Sequence, residues 1–559
     1  MNSNRSTKPY RTTLLVGILA SIILIVLGAI ILAQLLIAPF DYTTRPGFEI
    51  IDSRIVETVI FTIYQAALST IMSILIGAIL AWSLANNQKF VFRNILVALI
   101  SSALVLPTLV VVLGIVTVYG RNGWLAELVL ITSSEKLPFS IYGLGGILLA
   151  HIFFNASFAC RILLHRFESI ADEKHKLCFA LGIGFWRRLI LVEFRAISSA
   201  LPSLAITIFL LCFTSFAIVL TLGGSPSYNT LEVAIYEAVR FDFDLPRAFQ
   251  LAMVQIAICI ILVIMANARV VGLSASASAK RLSGFRFLYS RGERVSQIGI
   301  IILFSLFFVT PLIAVCIDGS GSELVEIFKK QSFQSAFINS IAIASASTTL
   351  ALSLSFAIAS AIATLSLSLR LTLMSTNSPL LSSLVVARVL GAIISASAMF
   401  YLVFPALVMG LGFFLLYQRM GGDPVIWAAC VVTLANAFIA VPFAVAILHP
   451  AIEGAAKRHD RLAVSLGLGR LTRWRQIDWP VIKSDITYAA ALCFCFSLGD
   501  LGVIALFGNE DFKTLPWLLY QNFGSYRTDE ASAIALVLLM LVIAVFWIAQ
   551  NLDSREQLN

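Results

Sequence analysis

Residues 149–163 read LAHIFFNASFACRIL, and residues 434–448 read LANAFIAVPFAVAIL. Laid on each other without a gap they agree at seven of fifteen positions, where two unrelated apolar stretches would share roughly one or two. The 285-residue offset persists downstream. Ala180-Leu181-Gly182-Ile183-Gly184 falls on Ser465-Leu466-Gly467-Leu468-Gly469, and Glu168 falls on Glu453. The chain is therefore a duplicated unit, and the polar segments 166–200 and 451–485 are one loop met twice.

The surrounding composition says where this unit resides. With 59% hydrophobic and 12% charged residues among 559, the chain is far more apolar than a soluble domain, in which about 25% are charged. Twelve apolar runs are long enough to cross roughly 30 Å of hydrocarbon. They lie near 14–38, 58–84, 95–118, 141–164, 201–222, 248–268, 298–317, 336–365, 389–417, 425–448, 486–507 and 531–550. The first is too long for a signal-peptide core and lacks a clear cleavage site, so it reads as a retained span. The expected fold is an all-α polytopic membrane protein, with about twelve transmembrane helices in two parallel six-helix repeats related by an axis along the membrane normal.

Charge supports the count. With the N-terminus inside and alternating spans, the inner segments carry +17 and the outer segments −7, a bias that follows the positive-inside rule. Both termini are then cytoplasmic, and the basic balance reflects orientation in a lipid bilayer, not nucleic-acid binding. The eight cysteines form no disulfide framework, and all but Cys178 sit in or beside apolar runs as small buried groups. The five histidines fall in or next to the duplicated loops without ligand-spaced companions. They read as interfacial polar groups, and no metal site is expected.

The chain divides into a tail, first span and outer segment (1–55), a first repeat (56–268), a linker with span 7 and an outer segment (269–334), a second repeat (335–550) and a tail (551–559). Each repeat opens on small and hydroxyl residues: Thr62, Ala66, Ser69, Thr70 and Ala81 meet Ser340, Ala344, Ser347, Thr348 and Ala359. Such positions let membrane helices approach closely. The next spans carry Pro107 and Gly114, matched by Pro405 and Gly412. Each pair is either a packing kink or a flexible wall of a translocation path. The duplicated loops hold bulky apolar residues among their charges, among them Phe179, Leu181 and Trp186 in one and Leu466 and Trp474 in the other. Apolar groups exposed on a charged loop call for a partner to cover them, and the Gly-x-Gly pair is expected to split each loop into two short amphipathic helices.

This loop, in its place before the penultimate span of a six-helix unit, resembles the coupling loop of binding-protein-dependent importer permeases of the ABC type, which reads roughly E-A-A-x3-G-x9-I-x-L-P. The second copy follows the pattern with Gly467, nine residues, then Ile477-Asp478-Trp479-Pro480. The first has Val192-Glu193-Phe194-Arg195 after Gly182 and no proline, and both depart at the E-A-A positions (Lys176-Leu177-Cys178, Arg461-Leu462-Ala463). The resemblance implies that Glu168, Leu181, Gly182 and Gly184, and Glu453, Leu466, Gly467, Gly469, Ile477 and Pro480, meet two copies of a cytoplasmic ATPase subunit. No phosphate-cradling G-x4-G-K-[ST] motif occurs. The chain is then no enzyme and binds no cofactor of its own, and ATP and magnesium belong to that partner.

One residue stands apart. Asp500 lies roughly two-thirds of the way along its apolar run, where a charge costs about 2.5–3.5 kcal/mol on insertion scales. Its counterpart is Ser215. Two roles are open: bonding to helix backbone loosened by Gly499 and Gly502, or a place on the path together with Ser215, Pro107 and Pro405. The stretch 497–527 is similar to the same region of thiamine and thiamine pyrophosphate importer permeases. This resemblance implies a bacterial inner-membrane permease receiving thiamine or its phosphates from a periplasmic binding protein. A ferric-ion or other small-solute permease of the same class is the alternative. An ion-coupled secondary transporter is a weaker one, because such carriers need several intramembrane charges.

Overall fold

The computed structural model describes residues 8–42, 53–88, 90–133, 140–224, 228–267, 291–374, 381–466 and 470–557, and among them all regular structure is helical. Only helices satisfy every backbone group within their own segment in hydrocarbon. Ten helices are long and apolar enough to cross a membrane, and an eleventh span arises if the bent pair Phe185–Ser198 and Leu201–Phe213 counts as one. Each of the twelve apolar runs is largely helical where described, and four of them, 95–118, 201–222, 389–417 and 486–507, are broken into shorter pieces.

Breaks occur in four runs, two per repeat and in corresponding places. Arg93–Ser102 gives way through a short turn to Thr108–Tyr119, and Leu381–Ala398 through Phe400–Val403 to Ala406–Met420. Here Pro107 and Pro405 are the N-caps of the second pieces, where a residue that has no N–H and disfavours helix in the one before it fits a helix start. Leu201–Phe213 breaks before Ala217–Leu222, and Trp479–Gly499 before Gly502–Phe507. In the last case glycines flank the break. In the other, Thr214 turns its hydroxyl back onto the Leu210 carbonyl at 2.9 Å.

Each repeat builds the same trio. Ser53–Asn86 packs on Leu144–Glu168 and Leu201–Phe213, and Gln331–Met374 packs on Pro424–Ser465 and Trp479–Gly499. The opening hydroxyls do more than thin the interface. Thr62 Oγ1 accepts the Leu231 N–H at 3.0 Å and Ser340 Oγ accepts that of Leu515 at 2.8 Å, so each holds the start of the helix after the following outer segment. Thr62→Val leaves a buried N–H without an acceptor, which costs about 1–3 kcal/mol. We expect a lower thermal midpoint in detergent for it and no change for Thr349→Val, whose hydroxyl is exposed and bonds only its own helix.

The first span and the seventh cross over. Lys8–Tyr42 packs on Gln331–Met374 and Ala406–Met420 of the second repeat, while Arg291–Gly319 packs on Ser53–Asn86 and Thr108–Tyr119 of the first. Gly412 and Gly114 serve these contacts. A Cβ on Gly412 would lie 2.7 Å from Ile31 Cγ2, and one on Gly114 would collide with the Pro311 carbonyl oxygen.

His151 corrects an expectation. It is 1% exposed and its Nδ1 lies 2.9 Å from Ser69 Oγ, so it is an interior bundle residue, not an interfacial one. The second repeat has Asn436 there, bonded at 2.9 Å to Ser497 Oγ, which in turn meets Ser347 Oγ at 3.0 Å. A buried polar contact is kept at this depth in both halves with different side chains.

Candidate functional site

The first loop leaves the Leu144–Glu168 helix, whose last residue forms an ion pair with Arg93. It turns at 169–171, runs as Asp172–Ala180 and reverses at Gly182, where φ is +63° and a side chain would meet only open space. The positive φ explains glycine at this point. Gly184, at φ −66°, is the N-cap of Phe185–Arg188 and needs no such freedom. Leu181 and Trp186 are 66% and 72% exposed.

The second loop differs at its entry. Pro424–Ser465 runs unbroken through span and loop together, with Glu453 inside it, bonded to Lys457 Nζ at 2.8 Å and Ser366 Oγ at 3.3 Å. Gly454-Ala455-Ala456-Lys457 stands where the first copy has Ser169-Ile170-Ala171-Asp172. The alanines favour helix. In the first copy Ser169 bonds back to the Arg166 carbonyl at 2.7 Å, and Asp172 suits a helix start. The two-helix expectation therefore holds for the first loop. In the second, Leu466 is exposed, whereas Gly467 and Gly469 lie outside the described residues.

Beyond the glycines the loops converge again on a feature missed in the sequence. Leu189–Phe194 and Trp474–Asp478 are π-helical and start 285 residues apart. Each is closed by an ion pair at matching positions: Arg188 Nε to Glu193 Oε1 at 3.1 Å, and Arg473 Nε to Asp478 Oδ2 at 3.1 Å. The same offset that aligns the glycines would have shown this pair. Ile477 lies within the second π turn, half-buried, and Pro480 is exposed in the first turn of Trp479–Gly499.

The other candidate residues gather where broken helices of the two repeats meet. A Cβ on Gly499 would lie 3.0 Å from Pro107 Cα, and one on Gly502 would lie 2.9 Å from Ala406 Cβ, next to Pro405. Asp500 stands between them. Its Oδ1 accepts the Gly502 N–H at 3.3 Å, at the start of Gly502–Phe507, while its buried Oδ2 has no hydrogen-bond partner by distance and angle. Ser215 occupies the equivalent break of the first repeat, with its amide 3.4 Å from the Cys212 carbonyl.

Glu232 belongs here too. It follows Leu231 in the helix Leu231–Arg240, which packs against Ala406–Met420 and Gly502–Phe507 of the other repeat. It is 1% exposed. One carboxylate oxygen accepts Gln255 Nε2 at 2.7 Å, and the backbone N–H of Leu407 and the charge of Asp500 also act on the carboxylate. Its counterpart is Pro516, so duplication concealed it. The only signal was an acid two residues after the shared Thr-Leu pair began. Among the described residues no three His, Cys, Asp or Glu side chains converge as a metal site would require.

Two broken-helix repeats meeting at an acidic centre, with twinned loops at their ends, make a membrane permease, and comparison agrees. Residues 73–272 match the family described as binding-protein-dependent transport system inner membrane component. The thiamine transport system permease protein ThiP of Brucella abortus (strain 2308) is 36% identical over 501 residues, covering 89% of this chain and 88% of its own. That of Escherichia coli (strain K12) is 35% identical over 506 residues, 90% of each. The molybdenum transport system permease protein ModB of Mycobacterium bovis is 27% identical over 254 residues, 86% of its length but 43% of this chain, as a single unit laid on a doubled one would be. The chain thus belongs to the inner-membrane permeases of binding-protein-dependent transport systems, transport proteins and not enzymes. Within them it is a member of the family of thiamine transport system permease proteins.

Proposed function

We propose that this chain is the membrane-spanning permease of an ATP-driven importer for thiamine or its phosphates. A periplasmic binding protein delivers the solute to the outer face. One ATPase subunit docks under each duplicated loop, with both termini and both loops cytoplasmic, and ATP and magnesium are used by those subunits. The observation that carries the reading is likeness to thiamine permeases over about nine-tenths of the chain. The exposed Leu181, Trp186 and Leu466 support it as apolar points for the ATPase to cover.

The solute passes where Pro107, Pro405, Gly499 and Gly502 bring the broken helices together, with Ser215 on the first-repeat side. Glu232 and Asp500 supply negative charge for a cationic thiazolium. Glu232 is buried and Asp500 partly so, which supports a path narrowed around them.

The test is reconstitution in vesicles with the ATPase and binding protein, followed by uptake of labelled thiamine. Uptake should require ATP on the loop side and binding protein on the other, and should fall when unlabelled thiamine, not ferric ion, competes. Uptake driven by an ion gradient without ATP sinks the reading.

A further inference from the structure

The ion pairs Arg188–Glu193 and Arg473–Asp478 occupy the same positions in both loops, and each spans a π-helical turn. Their spacing is the informative part. In an α-helix at 3.6 residues per turn, side chains five apart point about 140° away from each other. In a π turn, whose backbone bonds run i→i+5, they stack on one side. The pair and the turn therefore require each other. An α-helical turn separates the charges, and the closed pair holds the π register.

Each turn is also fastened to the helix that opens its repeat. In the first loop Phe185 meets Trp82 edge-on at 6.0 Å, and the Arg188 guanidinium lies 5.6 Å over the Phe185 ring. In the second, Trp474 at the start of the turn meets Phe356 edge-on at 5.5 Å. Downstream, the second π turn runs straight into Trp479–Gly499, which ends at Asp500. The first runs through Arg195–Ser198 into Leu201–Phe213 across a 61° bend. Relaxing a π turn to α shifts the register by one residue, rotating the downstream helix by about 100° and advancing it about 1.5 Å.

We propose that the two ion pairs are clasps that keep the π turns closed, so that each loop and the helix after it move as one body and a load on the loop reaches the broken centre undiminished. Arg188, Glu193, Arg473 and Asp478 are positioning residues in this account, for they touch neither solute nor nucleotide. With a clasp open, the turn yields and absorbs the motion. The clasp stands on geometry alone, whereas its consequence for transport rests on the proposed ATPase coupling, and the test separates the two.

Glu193→Gln and Asp478→Asn remove one charge from each clasp and keep side-chain size. Truncating one partner of a buried pair is strongly destabilising, and Arg188 and Glu193 are each 4% exposed in their side chains. The half-buried second clasp, at 27% and 22%, is the one expected to survive substitution folded. Hydrogen exchange of the purified permease should show amides of 474–478 exchanging at least tenfold faster in Asp478→Asn, and those of 189–194 likewise in Glu193→Gln. The exchanged-charge double variant Arg473→Asp with Asp478→Arg should restore parental exchange. In vesicles holding the ATPase and binding protein, labelled thiamine taken up per ATP hydrolysed should fall at least fivefold in Asp478→Asn and recover in the double variant. A merely structural role would lower the amount of folded complex and leave that ratio unchanged. Unaltered exchange, an unaltered ratio, or failure of the double variant to restore either overturns the proposal. A parent protein that takes up no thiamine with ATP sinks the proposed function instead, and the exchange measurement then decides the clasp.

Discussion

Replacing Gly182 by valine should abolish stable association of the ATPase with the first loop, whereas Gly184→Ala, two residues on, should leave it intact. A Cβ added at either glycine would meet open space, so crowding does not distinguish them. Backbone does. Gly182 sits at φ +63° and reverses the chain after Asp172–Ala180, with its N–H bonded to the Phe179 carbonyl at 3.0 Å and that of Ile183 to Cys178 at 2.9 Å. A β-branched residue in the left-handed region costs more than the roughly 1–2 kcal/mol charged to an ordinary side chain. That is small against the stability of a bundle this large but enough to shift the loop to another turn. Leu181 and Trp186 would then no longer share the surface they present. The measurement is the ATPase retained per permease on co-purification, with the thermal midpoint as control. We expect retention to fall by about half for Gly182→Val, the second loop still holding its copy, with a midpoint near the parent's. Equal retention in the two variants would remove the Gly182 turn from the docking surface.

That turn was legible in sequence because a glycine pair in a charged loop has few other uses. The same holds for the spans, where hydrocarbon leaves the backbone no alternative to helix, and for the interruptions near Pro107 and Pro405, where sequence marked a kink or flexible wall and the structure has a break. Other features lay beyond a linear reading. The break at 214–216 has neither proline nor glycine and is made by tertiary packing with one hydroxyl turned onto its own helix. The exchange of the first and seventh spans between repeats is set by which close approaches Gly114 and Gly412 permit, and a run of apolar letters carries no partner label. His151 looked interfacial because it lies near the loop in sequence, yet the helix turns it inward onto Ser69. Glu232 was hidden by the symmetry that revealed the rest: comparing two copies shows what they share, and this acid is found in one.

Glu232 and Asp500 also carry the prediction that separates a structural acid from a path-lining one. Asp500 Oδ1 accepts the Gly502 N–H, and that bond serves the helix start whether or not solute passes. An amide oxygen accepts as a carboxylate oxygen does, so Asp500→Asn keeps the Gly502 bond and removes the charge, while Asp500→Ala removes both. Glu232→Gln likewise keeps an oxygen for Gln255 Nε2. If negative charge at the centre serves the thiazolium, Asp500→Asn and Glu232→Gln should each lower labelled thiamine uptake at least tenfold with thermal midpoints close to the parent's. Asp500→Ala should lose stability as well, by about 1–3 kcal/mol for leaving the Gly502 N–H without its acceptor. Two acids acting on one cation are coupled, so the double variant should lose less than the product of the single losses. Full uptake in Asp500→Asn with reduced stability in Asp500→Ala would leave Asp500 a structural acceptor alone. Losses that simply multiply would mean that the two carboxylates, though drawn together from different repeats, act on the solute at separate points of its passage.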